Sequence, residues 1–218
     1  MPASEASQGL TTKGRQTRAA IEQAARKLFA ERGFHGTTLA DITSAAGKSA
    51  AVFYRYFADK EDLLATLAES FLHDVVTPSG LSLHPPEFPY DDAFFTSVVT
   101  GYWNMFKQNI GIMVAVAQLA TTQQRFAAVQ KEFRRFGMEI VAASVRHAQR
   151  HGYASDLHPE HIAAAIALLF ENFTTVYAGP LGTSSAQGRL GLELSDEDAI
   201  ATLSTVWKKT LYGSVATS

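Results

Sequence analysis

The sequence predicts an all-α protein, with a small three-helix head at its N-terminus and a larger helical body, about nine helices in all. Apolar residues recur at helical spacing through most of the 218 residues. Capping residues such as Thr38, Ser49 and Ser195 precede these stretches, and glycines such as Gly47 follow them. Residues 77–89, which contain four prolines and a glycine, form the clearest internal boundary.

The composition fits a globular protein and excludes several kinds of site. Apolar residues make up 46% of the chain and charged residues 18%, and the length is sufficient to bury a core. The absence of cysteine excludes disulfides, thiolate metal sites and cysteine nucleophiles. We find no apolar leader and no apolar stretch of membrane-spanning length, so we expect a cytoplasmic protein without a membrane partner.

Charge is distributed unevenly along the chain. Residues 1–60 contain nine Lys and Arg against five Asp and Glu, a balance of +4, whereas the remaining residues carry −6. A positive head on a negative body places positive potential where DNA phosphates would dock.

The chain begins with a small, polar segment, residues 1–11, which we expect to be a disordered tail. The first helix is predicted over residues 12–32 and ends before Gly33. Its basic start can approach phosphates or a minor groove, or can simply be a solvated helix end. The basic start contains Lys13, Arg15 and Arg18, and the predicted buried face contains Ile21, Ala24, Ala25, Leu28 and Phe29.

The next stretch predicts two short helices that meet at a glycine turn. Thr38 and Asp41 match a capping box that starts the first of them. Gly47 ends that helix, and Ser49 can cap the second. This order is typical of a helix-turn-helix, in which the second helix enters a DNA groove. The two predicted helices cover residues 39–45 and 50–57.

The second of these helices is rich in aromatic residues. Phe53 and Phe57 are four residues apart and therefore face the same way, which we take to be inward. Tyr54, Arg55 and Tyr56 are then left around the rest of the helix, where they can reach phosphates. The alternative is a short aromatic helix that is buried for structural reasons alone.

These residues and their neighbours resemble the DNA-binding domain of the TetR family of transcriptional repressors. The resemblance runs from about Arg18 to Phe71, and its most specific part is F-Y-R-Y-F-x-x-K-x-x-L-L, one glycine turn after T-T-L-x-x-I. It implies a homodimeric, all-helical repressor whose larger C-terminal domain binds a small molecule and thereby releases DNA. Ala51 and Val52 depart from the commonest family pattern, which has glycine and threonine at these positions.

The resemblance also implies domain limits and residue roles. The helix-turn-helix head would cover residues 12–58, and the ligand-binding and dimerisation body residues 59–218. Residues from Lys48 to Tyr56 would read the operator, while four residues would anchor phosphates. The implied DNA-binding set is Thr38, Lys48, Ser49, Ala50, Val52, Tyr54, Arg55, Tyr56 and Lys60, in which Thr38, Tyr54, Tyr56 and Lys60 are the phosphate anchors.

The body is predicted to contain six helices. A long amphipathic helix would join it to the head, and a Gly- and Ser-rich loop over residues 179–194 would precede the last helix. Capping residues, prolines and glycines mark most of the limits. The predicted helices cover about residues 59–76, 91–109, 110–120, 123–151, 159–177 and 196–212.

The last two helices carry apolar stripes that predict a dimer interface. The family resemblance implies a four-helix bundle made from these two helices of each subunit. The alternative is that both stripes are buried inside one subunit. The predicted interface contains Ala165, Leu169, Phe173, Ile200, Leu203, Trp207 and Leu211.

The abundance of aromatic residues in the body predicts a mostly apolar ligand cavity with a few polar groups. This lining favours a small apolar or aromatic effector with little charge. Each residue taken singly can equally belong to the core, because aromatic residues at helical spacing are commonly buried. The predicted lining contains Phe95, Tyr102, Trp103, Phe106, Met113, Phe133, Phe136, Asn172 and Phe173.

We therefore expect a ligand-responsive transcriptional regulator that binds a palindromic operator as a homodimer, needs no cofactor and is not an enzyme. No glycine-rich phosphate loop or hydrolase motif is present. The spacing of His147, His151, His158 and His161 leaves a metal site open, although histidine also suits a helix C-terminus. The alternatives are a helical ligand-binding or scaffold protein without specific DNA binding, and an activator of the same fold.

Overall fold

The computed structural model describes residues 11–76, 86, 91–178 and 194–213, and these residues form nine α-helices and no strand. The all-α prediction is therefore confirmed. Residues 1–10 of the predicted tail and most of both predicted loops lie outside the described residues, whereas Thr11 caps α1. The helices are α1 (Thr12–Arg32), α2 (Leu39–Ala45), α3 (Ala50–Phe53), α4 (Lys60–Val76), α5 (Asp92–Gln108), α6 (Ile110–Leu119), α7 (Gln124–Arg150), α8 (Pro159–Ala178) and α9 (Asp196–Tyr212).

The helices pack as two units. Of the described residues, 11–76 and 109–132 belong to the first unit, and 91–108, 133–178 and 194–213 belong to the second. The first unit thus contains α6 in addition to the four helices at the N-terminus. The predicted domain limit at residue 58 stays a prediction, because a packing unit need not coincide with a functional domain.

The core of the first unit forms where α1, α4 and α6 meet. The apolar face predicted for α1 is buried at Ile21, Ala25, Leu28 and Phe29, and Ala24 is half-buried. Most of α6 is buried as well, from Ile110 to Leu119. The apolar face of α4 is formed by Leu63, Leu64, Leu67 and Phe71, all of them buried.

Helix α6 lies unusually close to the backbone of α1. A Cβ added at Gly111 would stand 2.4 Å from the amide nitrogen of Ala30 and 2.6 Å from the carbonyl oxygen of Phe29. Both distances are far shorter than van der Waals contact, and the atoms are backbone atoms that cannot rotate away. Glycine is therefore required at this position for the two helices to pack.

The limits of the short helices follow from local hydrogen bonds. The Thr38 side chain accepts from the Asp41 amide, and the Asp41 carboxylate accepts from the Thr38 amide, as a capping box requires. Gly47 follows α2 with φ of +63°, a conformation that glycine adopts without strain. Ser195 and Asp198 form a second capping box at the start of α9.

Helix α3 ends at Phe53, four residues before the predicted end. The amides of Arg55 and Tyr56 bond to carbonyls three residues back, at 3.3 Å and 2.9 Å, so the chain tightens into turns after Phe53. Phe57 nevertheless faces inward as predicted, because the turn keeps its ring 5.5 Å from that of Phe53.

The core of the second unit is built around Trp207 of α9. Its ring lies 5.1 Å from that of Phe95, centroid to centroid, and its indole nitrogen donates to Ser144 Oγ at 3.1 Å. The Ser144 hydroxyl in turn donates to the Val141 carbonyl. The surrounding core contains Val99, Trp103, Val141, Val145, Ala163, Ile166, Phe170, Leu203 and Leu211.

Candidate nucleic-acid interface

The outer face of the helix-turn-helix consists of small side chains followed by a tyrosine. Ala50 and Ala51 are exposed on α3, and Tyr54 is 59% exposed at the end of the helix. Tyr54 stands four and three residues after these alanines, so all three share one face. Phe53 faces the interior and has no exposed surface. The aromatic stretch is thus divided between a buried anchor and an outward face, and it is not the wholly buried helix that the sequence left open.

The turn that follows α3 lies beside the first helix. The Arg18 guanidinium lies 5.6 Å from the centre of the Phe57 ring and forms a 2.8 Å ion pair with Glu22. Arg18 therefore belongs to the packing of the head rather than to a free basic arm. Lys13 and Arg15, by contrast, are exposed at the start of α1.

Two hydroxyl residues of the predicted set cap the helices of the motif. The Thr38 hydroxyl donates to the Asp41 carboxylate at 2.6 Å, and this bond lowers the pKa of Asp41 below its ordinary value. Ser49 Oγ accepts from the Val52 amide at 3.3 Å. Both residues are exposed at helix N-termini, where backbone amides favour phosphate.

The other predicted DNA-binding residues differ in their exposure to solvent. Arg55 is exposed, whereas Lys48, Val52 and Tyr56 are half-buried. Every one of them lies in or beside the helix-turn-helix, and their contacts with DNA stay predictions.

Lys60 occupies a place that sequence reasoning did not predict. Its ammonium donates to the carbonyl oxygens of Phe34 and Thr37, each at 2.7 Å, and lies 4.2 Å from the centre of the Phe34 ring. Burial lowers the pKa of Lys60. Two of the three ammonium hydrogens are thus used to hold α4 against the turn between α1 and α2. The phosphate contact implied for Lys60 has to be corrected to a structural role in the head.

Replacing Lys60 with methionine is expected to lower the free energy of unfolding by about 1.5 kcal/mol, because two carbonyls lose a charged donor. Lys27→Met is the matched control, since Lys27 is exposed and its ammonium is 3.9 Å from Glu31. The control should change stability by less than about 0.5 kcal/mol. Urea denaturation followed by circular dichroism measures both. Equal, small effects of the two substitutions would argue against the structural role.

Comparison with known proteins shows which family the helix-turn-helix resembles. Residues 21–67 match the sequence model for bacterial regulatory proteins of the tetR family. The chain is 37% identical over 68 residues to the HTH-type transcriptional repressor AcnR of Corynebacterium glutamicum, a match that covers 30% of this chain and 36% of AcnR. It is 27% identical to the HTH-type transcriptional regulator UidR of Escherichia coli, over 67% of this chain and 73% of UidR.

Solved structures extend the likeness in fold to both units. A TetR transcription regulator from Haloarcula marismortui aligns with a TM-score of 0.63 at 19% identity, over 90% of this chain and 99% of its own. Reduced NemR of Escherichia coli aligns with a TM-score of 0.62 at 12% identity, over 92% and 99%. Residues 21–67 therefore form a helix-turn-helix of the tetR type, and the helical fold of the chain is similar to that of solved TetR regulators. The match to AcnR spans about a third of the length of that relative, so the sequence likeness is greatest in the TetR-type head.

Part of the predicted dimer interface is not on the surface. Leu203, Trp207 and Leu211 are each at most 2% exposed, because they form the core of the second unit. Ile200 is half-buried against the same core. The predicted stripe on α9 is therefore corrected to internal packing, which is the alternative that the sequence left open.

Helix α8 provides an exposed apolar face instead. Leu168, Leu169 and Val176 are 44%, 41% and 41% exposed, which is unusual for large aliphatic residues. With Asn172, Phe173 and Tyr177 they line a shallow depression of about 400 Å³. Leu169 and Phe173 belong to the predicted interface, as does the exposed Ala165, whereas Leu168 and Val176 were missed. A search for large aliphatic residues outside the inward stripe of α8 could have found them.

The predicted ligand-lining residues differ in their burial and in the unit to which they belong, and their role in binding an effector stays a prediction. Phe95, Trp103 and Phe106 are at most 2% exposed in the second unit, and Met113 belongs to α6 in the first unit. Tyr102 lies beside Phe170, with ring centroids 5.6 Å apart, and burial raises the pKa of its hydroxyl. The four remaining residues of the set are Phe133, Phe136 and Phe173, which are half-buried, and Asn172, which is exposed.

An ion pair in the second unit, between Arg134 and Glu171, was not predicted from the sequence. Arg134 Nε and Glu171 Oε2 are 2.6 Å apart, and Arg134 NH2 donates to Glu171 Oε1 at 2.9 Å. This bidentate pairing raises the pKa of Arg134. Because the two residues are 37 positions apart on different helices, no spacing in the sequence indicates that they meet.

The four histidines near the end of α7 and the start of α8 form two pairs. The rings of His147 and His151 lie 4.4 Å apart, and those of His158 and His161 lie 4.1 Å apart. Across the described part of the chain, no three His, Cys, Asp or Glu side chains come together as a metal site would require. Within the same residues, no helix is long and apolar enough to span a membrane.

Proposed function

We propose that this chain is a ligand-responsive transcriptional regulator, in its simplest form a repressor, that binds a palindromic DNA operator as a homodimer. The single observation that carries the proposal is the division of the α3 segment into a buried side and an outward face. Phe53 and Phe57 fix the segment in the head, while Ala50, Ala51 and Tyr54 are presented to the outside. A short helix held in this way is suited to enter a major groove.

Charge supports the choice of DNA as the partner. Residues 1–60 carry a balance of +4 within a chain of net charge −2. Lys13, Arg15 and Arg55 are exposed in this region, and their positive charge attracts phosphates by long-range electrostatics. The repressor function of AcnR, to which the head is 37% identical, favours repression over activation.

The apolar face of α8 is the surface that we assign to the dimer. Burying Leu168, Leu169 and Val176 against the same residues of a second copy would remove them from water in a two-fold symmetric contact. Two symmetric heads can then meet two half-sites about one helical turn of DNA apart, about 34 Å. A palindromic operator follows from this symmetry.

The effector proposal concerns the second unit. Its aromatic residues, with Tyr102, Asn172 and the Arg134–Glu171 pair as polar groups, suit a small apolar or aromatic molecule. Binding of such a molecule would favour a form with weaker affinity for the operator, which requires coupling between two sites. The rival proposals remain an activator of the same fold and a helical ligand-binding protein without specific DNA binding.

The test is selection of duplex DNA from a random pool by the purified protein, followed by a salt titration of the recovered sequence. A palindromic operator is expected, with an affinity that falls by a large factor between low and moderate salt because condensed counterions are released. Tyr54→Phe should weaken binding to matched and unmatched DNA alike if Tyr54 contacts phosphate. Weak binding without sequence preference would contradict the proposal and favour the alternative of a helical ligand-binding protein.

The dimer surface has its own test. Leu169→Glu is expected to weaken dimerisation at least about tenfold, because two carboxylates would meet in an apolar interface. Thr96→Glu introduces the same charge at an exposed position of α5 and is the control. Sedimentation velocity over a range of protein concentrations measures both variants. A dimer of unchanged affinity in Leu169→Glu would show that α8 is not the contact surface.

A further inference from the structure

The face that α3 turns outward offers methyl groups where a base-reading helix commonly offers hydrogen bonds. Ala50 and Ala51 are exposed at the start of the helix, and Val52 is half-exposed beside them. None of these side chains can donate or accept a hydrogen bond. Because they are also small, the helix backbone can approach a groove floor more closely than a helix with long side chains.

The polar side chains that flank these three residues in the sequence lie outside the helix, which covers Ala50–Phe53. Ser49 Oγ accepts from the Val52 amide as the helix cap, and Lys48 precedes the cap. Tyr54 and Arg55 follow the end of the helix, where a hydroxyl and a guanidinium suit phosphate oxygens. Direct readout by α3 itself is therefore left to methyl contacts.

Among the four bases, only thymine presents a methyl group in the major groove. Adenine, guanine and cytosine present acceptors or amino groups there, and an alanine or valine side chain placed against such a group would remove it from water without a partner. Apolar contact with alanine is an established means of thymine recognition. The chemistry of α3 thus favours thymine and disfavours the other three bases.

We propose that Ala50, Ala51 and Val52 select thymine through contacts between methyl groups, so that each operator half-site carries thymine beneath α3. This inference rests on the proposed function, since it concerns the same DNA interface. It goes further by naming the base and the chemical group that are recognised, and it assigns specificity to residues that form no hydrogen bond with a base.

The operator recovered by selection is the probe. Each thymine in one half-site is replaced by uracil, which removes the 5-methyl group and leaves every base-pairing group unchanged. Loss of a buried methyl contact is expected to weaken binding about fourfold at each contacted position. The same replacement in both half-sites should weaken binding about sixteenfold, because the two positions are independent. Thymines outside the α3 contact serve as internal controls.

A double-mutant cycle then assigns the contact to a residue. Ala50→Gly and Ala51→Gly each remove one protein methyl, and Val52→Thr exchanges one methyl for a hydroxyl of similar size. Glycine can weaken α3 itself, but this weakens binding to thymine and uracil operators alike. The ratio of the two affinities for a given variant therefore isolates the contact.

In the unmodified protein, replacing thymine by uracil is expected to lower the affinity for the operator. We call this loss of affinity the uracil penalty, and it is expected to disappear in one or more of the three variants. If the recovered operator loses no affinity at any thymine, or if the penalty is the same in all three variants, the inference is wrong and the proposed function stands. If selection recovers no specific sequence, the proposed function fails and the inference fails with it.

Discussion

Replacing Trp207 with alanine is expected to lower the free energy of unfolding by about 3–5 kcal/mol. Trp207 is 1% exposed, and its ring meets those of Phe95 and Phe170 at centroid distances of 5.1 Å and 6.1 Å. The substitution would leave a large cavity and would also remove the indole donor of the buried Ser144 hydroxyl. Chemical denaturation followed by far-ultraviolet circular dichroism measures the change without relying on tryptophan fluorescence.

The neighbouring residue provides the matched control. Val206 is 39% exposed on α9, so Val206→Ala should change stability by less than about 0.5 kcal/mol. The pair of variants also separates two interpretations of α9. If Trp207→Ala dissociates the dimer while leaving the free energy of unfolding unchanged, the stripe faces a partner and its assignment to the core of the subunit is wrong.

Replacing Gly111 with alanine is expected to lower the free energy of unfolding by about 3 kcal/mol, the upper end of the usual range for overpacking. The new Cβ would overlap the backbone of Phe29 and Ala30, with the shortest contacts at 2.4 Å. A clashing side chain could move to another rotamer, but these are backbone atoms of a helix. The overlap can therefore be relieved only if α1 and α6 move apart. Separation would expose part of the buried faces of both helices.

Gly101 is the control for this substitution, because it is also helical but has open space where a Cβ would be added. Gly101→Ala should stabilise the protein by up to about 1 kcal/mol through helix propensity. Thermal and chemical denaturation of both variants give changes of opposite sign if the packing is as described. A Gly111→Ala protein as stable as the Gly101→Ala protein would contradict the close approach of α6 to α1.

The features that sequence reasoning predicted well are determined locally. The start of α2 depends on Thr38 and Asp41, which are three residues apart and bond to each other. The start of α9 depends in the same way on Ser195 and Asp198. The helix-turn-helix was predictable because its cap, its glycine turn and its aromatic pair all lie within about 20 residues.

The features that were missed depend on partners distant in the sequence. Lys60 bonds to Phe34 and Thr37, which are 26 and 23 positions away, and nothing in its own neighbourhood distinguishes it from a phosphate-binding lysine. The apolar stripe of α9 predicts burial, but a stripe does not specify whether the covering surface belongs to the same subunit. The early end of α3 reflects a change from bonds over four residues to bonds over three, which residue types alone do not indicate.

The packing of α6 has a consequence for evolution and for engineering by exchange of parts. A transplanted segment that ended after α4 would leave behind α6, the helix that packs on both α1 and α4 in the first unit. Its bare apolar surface would favour aggregation, unless the host supplied a helix with glycine at the position of Gly111. The part of the chain that can be exchanged as a folded unit is therefore not continuous in sequence, because residues 109–132 must be transferred together with the N-terminal helices.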